Sequence, residues 1–278
     1  MARFFPPCRA MIRIVGVAVG AVGGALLMRE RQRRIAAERL AAAVLETLLR
    51  AIDANDAETG GHVRRVARYA LILADAADLD LREQRNVERV ALFHDVGKIS
   101  EALFDIIHDH SALTPDEREA VRTHPRRGAD VLAPLAAFYP KLSTGVLSHH
   151  ERWDGSGYPR ALRGDAIPLV ARIVSIADAF DAITYHRRYR SAKSVDEAVA
   201  KLMDGRGTQF DPDLVDLFTS PPVLEDVVAV LREDHGPKPR RALRPAAQGS
   251  EAPADLTFRW RTTTPSPQAP DRAPRRSP

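Results

Sequence analysis

A chain of 278 residues, 45% hydrophobic and 28% charged, can form one sizeable domain with appendages, and its single cysteine, Cys8, excludes a disulfide framework and fits a reducing compartment. The formal net charge of +4 is a sum over unlike parts: residues 1–34 carry +6, residues 237–278 carry +6, and residues 35–236 carry −8. The basic ends therefore give no argument for binding a nucleic-acid polymer, and the acidic middle suits a part that holds cations.

Ile14 to Met28 is an uncharged run of 15 residues with three arginines before it and four after it. As a helix it spans about 22 Å, against a bilayer core of about 30 Å. Including residues 11–13, with Arg13 snorkelling outward, brings residues 11–28 close to spanning length. Residues 1–34 are therefore expected to be an uncleaved membrane anchor with basic flanks, leaving the rest on the cytoplasmic side of the membrane. The alternative is a disordered leader on a cytoplasmic protein, with Met11 as the start. Gly16, Gly20 and Gly24 would give an anchor helix a smooth face for pairing with a second copy. Residues 35–55 read as an amphipathic connecting helix with Leu40, Val44, Leu45, Leu48, Leu49 and Ile52 in an apolar stripe. That stripe serves either core packing or a homodimer stalk.

From residue 56 to 236 helical periodicity dominates, through HVRRVARYALILADAADL, REQRNVERVALFHDVG and PLVARIVSIADAFDAIT, and no alternating strand pattern is present. Pro115 opens a helix, and Asp211-Pro212 and Pro221-Pro222 mark later boundaries. Trp153 to Pro168 is the one long irregular connection, of a length that in compact domains tends to carry function. Residues 237–278 hold nine of the 20 prolines among Arg, Ser and Thr, and are expected to be a disordered tail.

Within the middle part, Glu58 and His62 stand four apart and so share a helix face. His94 and Asp95 sit in the apolar stretch ALFHDVGKI, where an uncompensated charge costs several kcal/mol, roughly, and a cation is the natural partner. Asp178 and Asp181 fall in an almost wholly apolar helix from Ile173 to Ile183. His124 lies in RTHP, and HHERWDGSGYP, from His149 to Pro159, sets two imidazoles before an acidic, glycine-rich turn. A lone buried His or Asp is usually satisfied by hydrogen bonds. Their concentration in one segment instead supplies ligands for more than one ion of iron, manganese, zinc or nickel. Metal-assisted hydrolysis of a phosphate ester is the expected chemistry.

HDVGK, from His94 to Lys98, and HHERWDGSGYP resemble the two signatures of the HD-GYP phosphodiesterases. TGGH, RTHP, ARIVSIADAFDAIT and GTQFDP stand in the family's order over roughly Leu48 to Leu217. The resemblance implies an all-α, HD-type helical bundle with an inserted GYP loop over residues 56–236. It also implies hydrolysis of cyclic di-GMP to linear pGpG and onward to GMP, in bacterial second-messenger signalling. By the same resemblance, His62, His94, Asp95 and Asp178 form one metal site, and His124, His149 and His150 complete a second through a bridging Asp95. Glu58 brings a third ion, unless it only compensates the dipole of its helix. Two or three divalent transition-metal ions are thus expected, iron or manganese first. His108, His110, His186 and His235 match no ligand.

On the substrate side the resemblance implies that Lys98 steadies the scissile phosphate, that Gly157, Tyr158 and Pro159 shape the facing wall, and that Arg187 and Arg190 receive the distal phosphate. The bland readings are solvated arginines and an ordinary turn. The chain departs from the family after GKI, where SEALFDIIHDHSAL replaces a Gly-Ile-Pro-Asp type of turn. It departs again at YHRRY, Tyr185 to Tyr189, where Ser-Asp-Arg-Pro-Tyr is common. Both departures border the substrate, so other cyclic dinucleotides, including cyclic GMP-AMP, stand as alternatives. Because no expected ligand is missing, an enzyme is favoured over a cyclic di-GMP receptor without turnover. A generic HD nucleotidase would leave the GYP loop and His124, His149 and His150 unexplained.

Overall fold

The computed structural model describes residues 8–99, 114–185 and 192–235. Among these the chain forms ten α-helices and three short 3-10 turns, with no strand beyond an isolated bridge between Arg206 and Phe210. The helices are α1 (Cys8–Asn55), α2 (Ala57–Ala76), α3 (Leu81–Phe93), α4 (Pro115–Val121), α5 (His124–Leu132), α6 (Pro140–Ser148), α7 (Leu169–Thr184), α8 (Val195–Asp204), α9 (Pro212–Phe218) and α10 (Pro221–His235). The architecture is the all-α bundle that the periodicity and the resemblance imply.

Short polar signals set the helix starts. Asp56 accepts from the backbone N–H groups of Glu58 and Thr59 at the start of α2, and Asp80 does the same for Arg82 and Glu83 at α3. Thr114 with Glu117 and Ser194 with Glu197 close reciprocal capping boxes on α4 and α8. Asp211 caps α9 just before Pro212. Each cap satisfies backbone donors that the first helical turn leaves without partners, worth about 1 kcal/mol.

The core is gathered on α2 and α7. Val66, Tyr69, Ala70 and Leu73 follow one face of α2 and are fully buried, and α7 buries Ile173, Val174, Ile176, Ala177 and Phe180. Phe180 meets Tyr69 and Phe218 edge to face, with ring centroids 5.3 Å apart in both pairs. Full burial of each such large side chain contributes about 1.5–3 kcal/mol, so the helices bearing the candidate ligands are held by the best-packed part of the molecule.

The apolar stripe expected over residues 35–55 divides between two faces of α1. Leu45, Leu48, Leu49 and Ile52 join the core, whereas Leu40 and Val44 are exposed. The membrane anchor expected over residues 11–28 is not supported. Among the described residues no helix is long and apolar enough to cross a membrane. The helix α1 continues past Met28 into Arg29, Glu30 and Arg31. Arg187 and Arg190, the segment beginning at Ser100, and the tail over residues 237–278 lie outside the described residues.

Candidate metal centre

Five helices bring the candidate ligands to one place. His62 comes from α2. His94 and Asp95 follow the last turn of α3, His124 is the first residue of α5, His149 and His150 follow α6, and Asp178 lies on α7. They assort into two triads, one of His62, His94 and Asp178 and the other of His124, His149 and His150, each with its ligand atoms within 4.8 Å of one another. Asp95 stands between them. Its Oδ1 is 3.3 Å from His124 Nε2 and 3.9 Å from His149 Nε2, and its Oδ2 is 3.4 Å from His94 Nε2 and 4.0 Å from His62 Nε2. Glu58 is half-buried in the first turn of α2 and belongs to neither triad.

The imidazoles are oriented from behind. Nδ1 of His94 lies 2.8 Å from the Ala91 carbonyl, Nδ1 of His124 2.7 Å from that of Val121, and Nδ1 of His149 2.6 Å from that of Val146. His62 Nδ1 lies 2.7 Å from Asp181 Oδ2. A carbonyl or carboxylate oxygen only accepts, so each partner assigns a hydrogen to Nδ1 and turns Nε2 toward the centre. In the second triad this sets two bare acceptors, His124 Nε2 and His149 Nε2, 3.2 Å apart. Lone pairs at that separation repel unless a cation lies between them.

Burial sharpens the case. His62 Nε2, His94 Nε2 and Asp95 Oδ1 are buried and have no hydrogen-bond partner among the described residues. Each such atom costs about 1–3 kcal/mol, and three at one point mark a place for a charged ligand. Burial, reinforced by His150, His94 and His124, holds His149 well below its usual range, and burial and His124 push His150 down to about 3, so both stay in the neutral form that binds metals. At His62 burial works downward too, but Asp178 and Asp181 outweigh it and lift the pKa to about 9. There a metal ion would replace a proton. Burial opposes ionisation of Asp95, yet Lys98 and the surrounding imidazoles keep it charged, well below the usual carboxylate range. The donor set thus fits divalent transition-metal ions.

Two glycines allow the close approaches. A Cβ on Gly97 would lie 2.1 Å from the His124 carbonyl oxygen and 2.7 Å from Gly128 N, so the turn after Asp95 can press on α5 only without a side chain. Gly97→Ala is expected to destabilise the fold by about 1–3 kcal/mol, a drop of roughly 2–12 °C in melting temperature. Thermal unfolding of the variant checks this, and an unchanged midpoint would mean the contact is looser than described. At Gly157 a Cβ would meet Arg152 N at 2.3 Å, which keeps the loop folded on itself.

That loop is built by residues that motif reading passes over. Glu151 is buried, and its two oxygens accept from the backbone N–H groups of Arg160 at 2.7 Å and Leu162 at 2.9 Å. Trp153 N and Asp154 N donate to the carbonyls of Gln209 and Thr208, which gives the GTQFDP segment a structural part in the site. The Tyr158 ring stacks on His150 with centroids 4.9 Å apart, and Arg122 lies over the Tyr158 ring at 4.6 Å. Lys98 Nζ, partly exposed, lies 2.7 Å from Asp95 Oδ2. Asp181, suspected from sequence only as a buried carboxylate in need of a partner, takes His62 and Arg65.

Comparison with known proteins places this geometry. A family model described as HD domain matches residues 46–214. The cyclic di-GMP phosphodiesterase response regulator RpfG of Xanthomonas campestris pv. campestris is 41% identical over 174 residues, 62% of this chain and 46% of that protein. A 3'3'-cGAMP-specific phosphodiesterase 2 of Vibrio cholerae serotype O1 is 37% identical over 173 residues, 62% of this chain and 33% of that protein. The chain thus spans less than half the length of these relatives. A crystal structure of a cyclic GMP-AMP specific phosphodiesterase of V. cholerae shares the fold, with a TM-score of 0.50 and 24% identity over 70% of this chain and 53% of that one. The chain belongs to the HD domain family, in its HD-GYP branch.

Proposed function

We propose that the chain is a metal-dependent phosphodiesterase that opens cyclic di-GMP to linear pGpG and cuts this onward to GMP, in second-messenger signalling. The observation that carries the reading is Asp95, set between two histidine-rich triads, with His62 Nε2, His94 Nε2 and Asp95 Oδ1 buried and without a hydrogen-bond partner among the described residues. His62, His94, Asp178 and Asp95 would hold one ion, and His124, His149, His150 and Asp95 the other. Iron or manganese suits these nitrogen and oxygen donors. Glu58, one turn before His62 on α2, is the residue a third ion would need. When bound, paired ions supply Lewis-acid neutralisation of phosphate oxygens and an activated water.

The chain's own groups do the rest. With the Asp95 charge shared among cations, Lys98 Nζ is free to turn its charge to a non-bridging phosphate oxygen. Gly157, Tyr158 and Pro159 would shape the wall facing the substrate, with the Tyr158 ring held by His150 and Arg122. Arg187 and Arg190 would take the distal phosphate, Arg190 with the bidentate geometry that arginine allows. The catalytic part is proposed to occupy residues 56–236, with 35–55 as the connecting helix and 237–278 as a tail.

Incubation of metal-replete protein with cyclic di-GMP under reducing conditions tests the reading, and linear product within minutes is the expected result. Binding without product over hours would support a receptor instead. The relative named for 3'3'-cGAMP favours a second substrate in the same assay, and much faster hydrolysis of cyclic GMP-AMP would reassign the preference. Lys98→Ala is expected to raise KM about tenfold and leave the ion content unchanged, as read by steady-state kinetics beside metal analysis.

A further inference from the structure

Arg65 lies three residues after His62 on α2, shares its face and is 4% exposed. Its Nε is 2.7 Å from Asp181 Oδ1 and its Nη2 is 3.0 Å from Asp181 Oδ2, a two-point grip on the carboxylate that receives the His62 Nδ1 proton. The third nitrogen, Nη1, lies 3.1 Å from Asp234 Oδ2 in the last turn of α10. The guanidinium also stacks on the Tyr185 ring, its central carbon 3.3 Å from the centroid. Tyr185 is the residue from which the segment bearing Arg187 and Arg190 departs. One buried cation thus touches α7, α10 and the root of that segment, and through Asp181 it reaches a candidate metal ligand.

We infer that Arg65 is a positioning residue for the first triad: it fixes the Asp181 carboxylate that orients His62, and Asp234 of α10 in turn fixes Arg65. The inference rests on the metal reading above. A carboxylate as buried as Asp181 could not stay charged beside His62 alone without moving toward a second partner. The planar fork of Arg65 holds it in place, so that Asp181 accepts from Nδ1 while Nε2 faces Asp178 at 3.3 Å. Among the described residues no comparable grip reaches the second triad, where His124 and His149 are oriented by backbone carbonyls of their own turns. The inference therefore predicts that changes at Arg65 and Asp234 act on one triad and spare the other.

The test is a cobalt titration of the full chain, read by d–d absorption. It is run in a His150→Ala background that keeps only the first triad whole and in an Asp178→Ala background that keeps only the second. Arg65→Gln is expected to weaken the first triad 10- to 100-fold, the usual effect of losing a group that orients a ligand. Arg65→Lys, which keeps the charge but not the fork, should fall between parent and Arg65→Gln. Asp234→Ala, at a partly exposed position, should weaken the same triad several-fold. Cobalt affinity of the second triad should stay within twofold throughout. Arg65→Lys and Asp234→Ala decide the matter even if Arg65→Gln does not fold. An unchanged first triad in both, or an equal loss at both triads, would overturn the inference, whereas absence of cobalt binding in the unsubstituted chain would remove the metal reading itself.

Discussion

Asp95→Asn is expected to lower turnover of cyclic di-GMP by three orders of magnitude or more, about 4 kcal/mol of lost transition-state stabilisation. The side chain keeps its shape, so the loss would come from charge and from one donor set. Asp95 is the group that faces both triads, with Oδ1 toward His124 and His149 and Oδ2 toward His94 and His62. A neutral amide cannot balance two cations, and its NH2 would point at a bare Nε2. The same substitution takes from the metal-free protein the charge that Lys98 and the surrounding imidazoles hold in place. The metal-free fold should therefore lose about 1–3 kcal/mol, and less than the metal-loaded protein loses. Steady-state rates with metal analysis and thermal melts separate the two effects. Turnover within tenfold of the parent would remove Asp95 from the centre of the account.

Chelation is expected to lower the stability of the parent by about 5 kcal/mol when each of two sites is saturated at about a hundredfold over its dissociation constant. For a chain of this size that is a fall of roughly 10–20 °C in melting temperature. The sign follows from burial. Among the described residues His62 Nε2, His94 Nε2 and Asp95 Oδ1 have no hydrogen-bond partner, so the metal-free fold bears their desolvation cost without full return. The unfolded chain hydrates all three. Asp95→Asn should abolish most of the effect, and Lys98→Ala, at the substrate side, should leave it intact. Equal melting temperatures with and without chelator would show that the triads do not hold ions in solution.

Much of this site is legible in the amino-acid sequence because the signals are local. His94-Asp95 sits in an apolar turn that cannot bear a free charge, and His149-His150 precede a glycine-rich loop, so composition at single positions already asks for a cation. The helical periods of α2 and α7 predict which faces are buried, and Tyr69, Leu73, Ile176 and Phe180 lie there. What sequence patterns do not carry is pairing over long separations. Arg65 and Asp181 are 116 residues apart and Arg65 and Asp234 are 169 apart, and no spacing rule joins them. Glu151 escapes notice for another reason: an acid after two histidines reads as a ligand or a surface charge, while here it accepts backbone hydrogen bonds that close the loop. The anchor expected over residues 11–28 is not supported, since among the described residues no helix is long and apolar enough to cross a membrane.

Metal content per chain, measured side by side on the parent and on Asp95→Asn purified without air and without a chelating tag, tests the central claim most directly. Two ions per parent chain, rising to three only if Glu58 recruits another, and fewer than one in Asp95→Asn, is the predicted result. One ion or none in the parent after iron or manganese supplementation, or equal content in the two proteins, would contradict an Asp95-bridged centre.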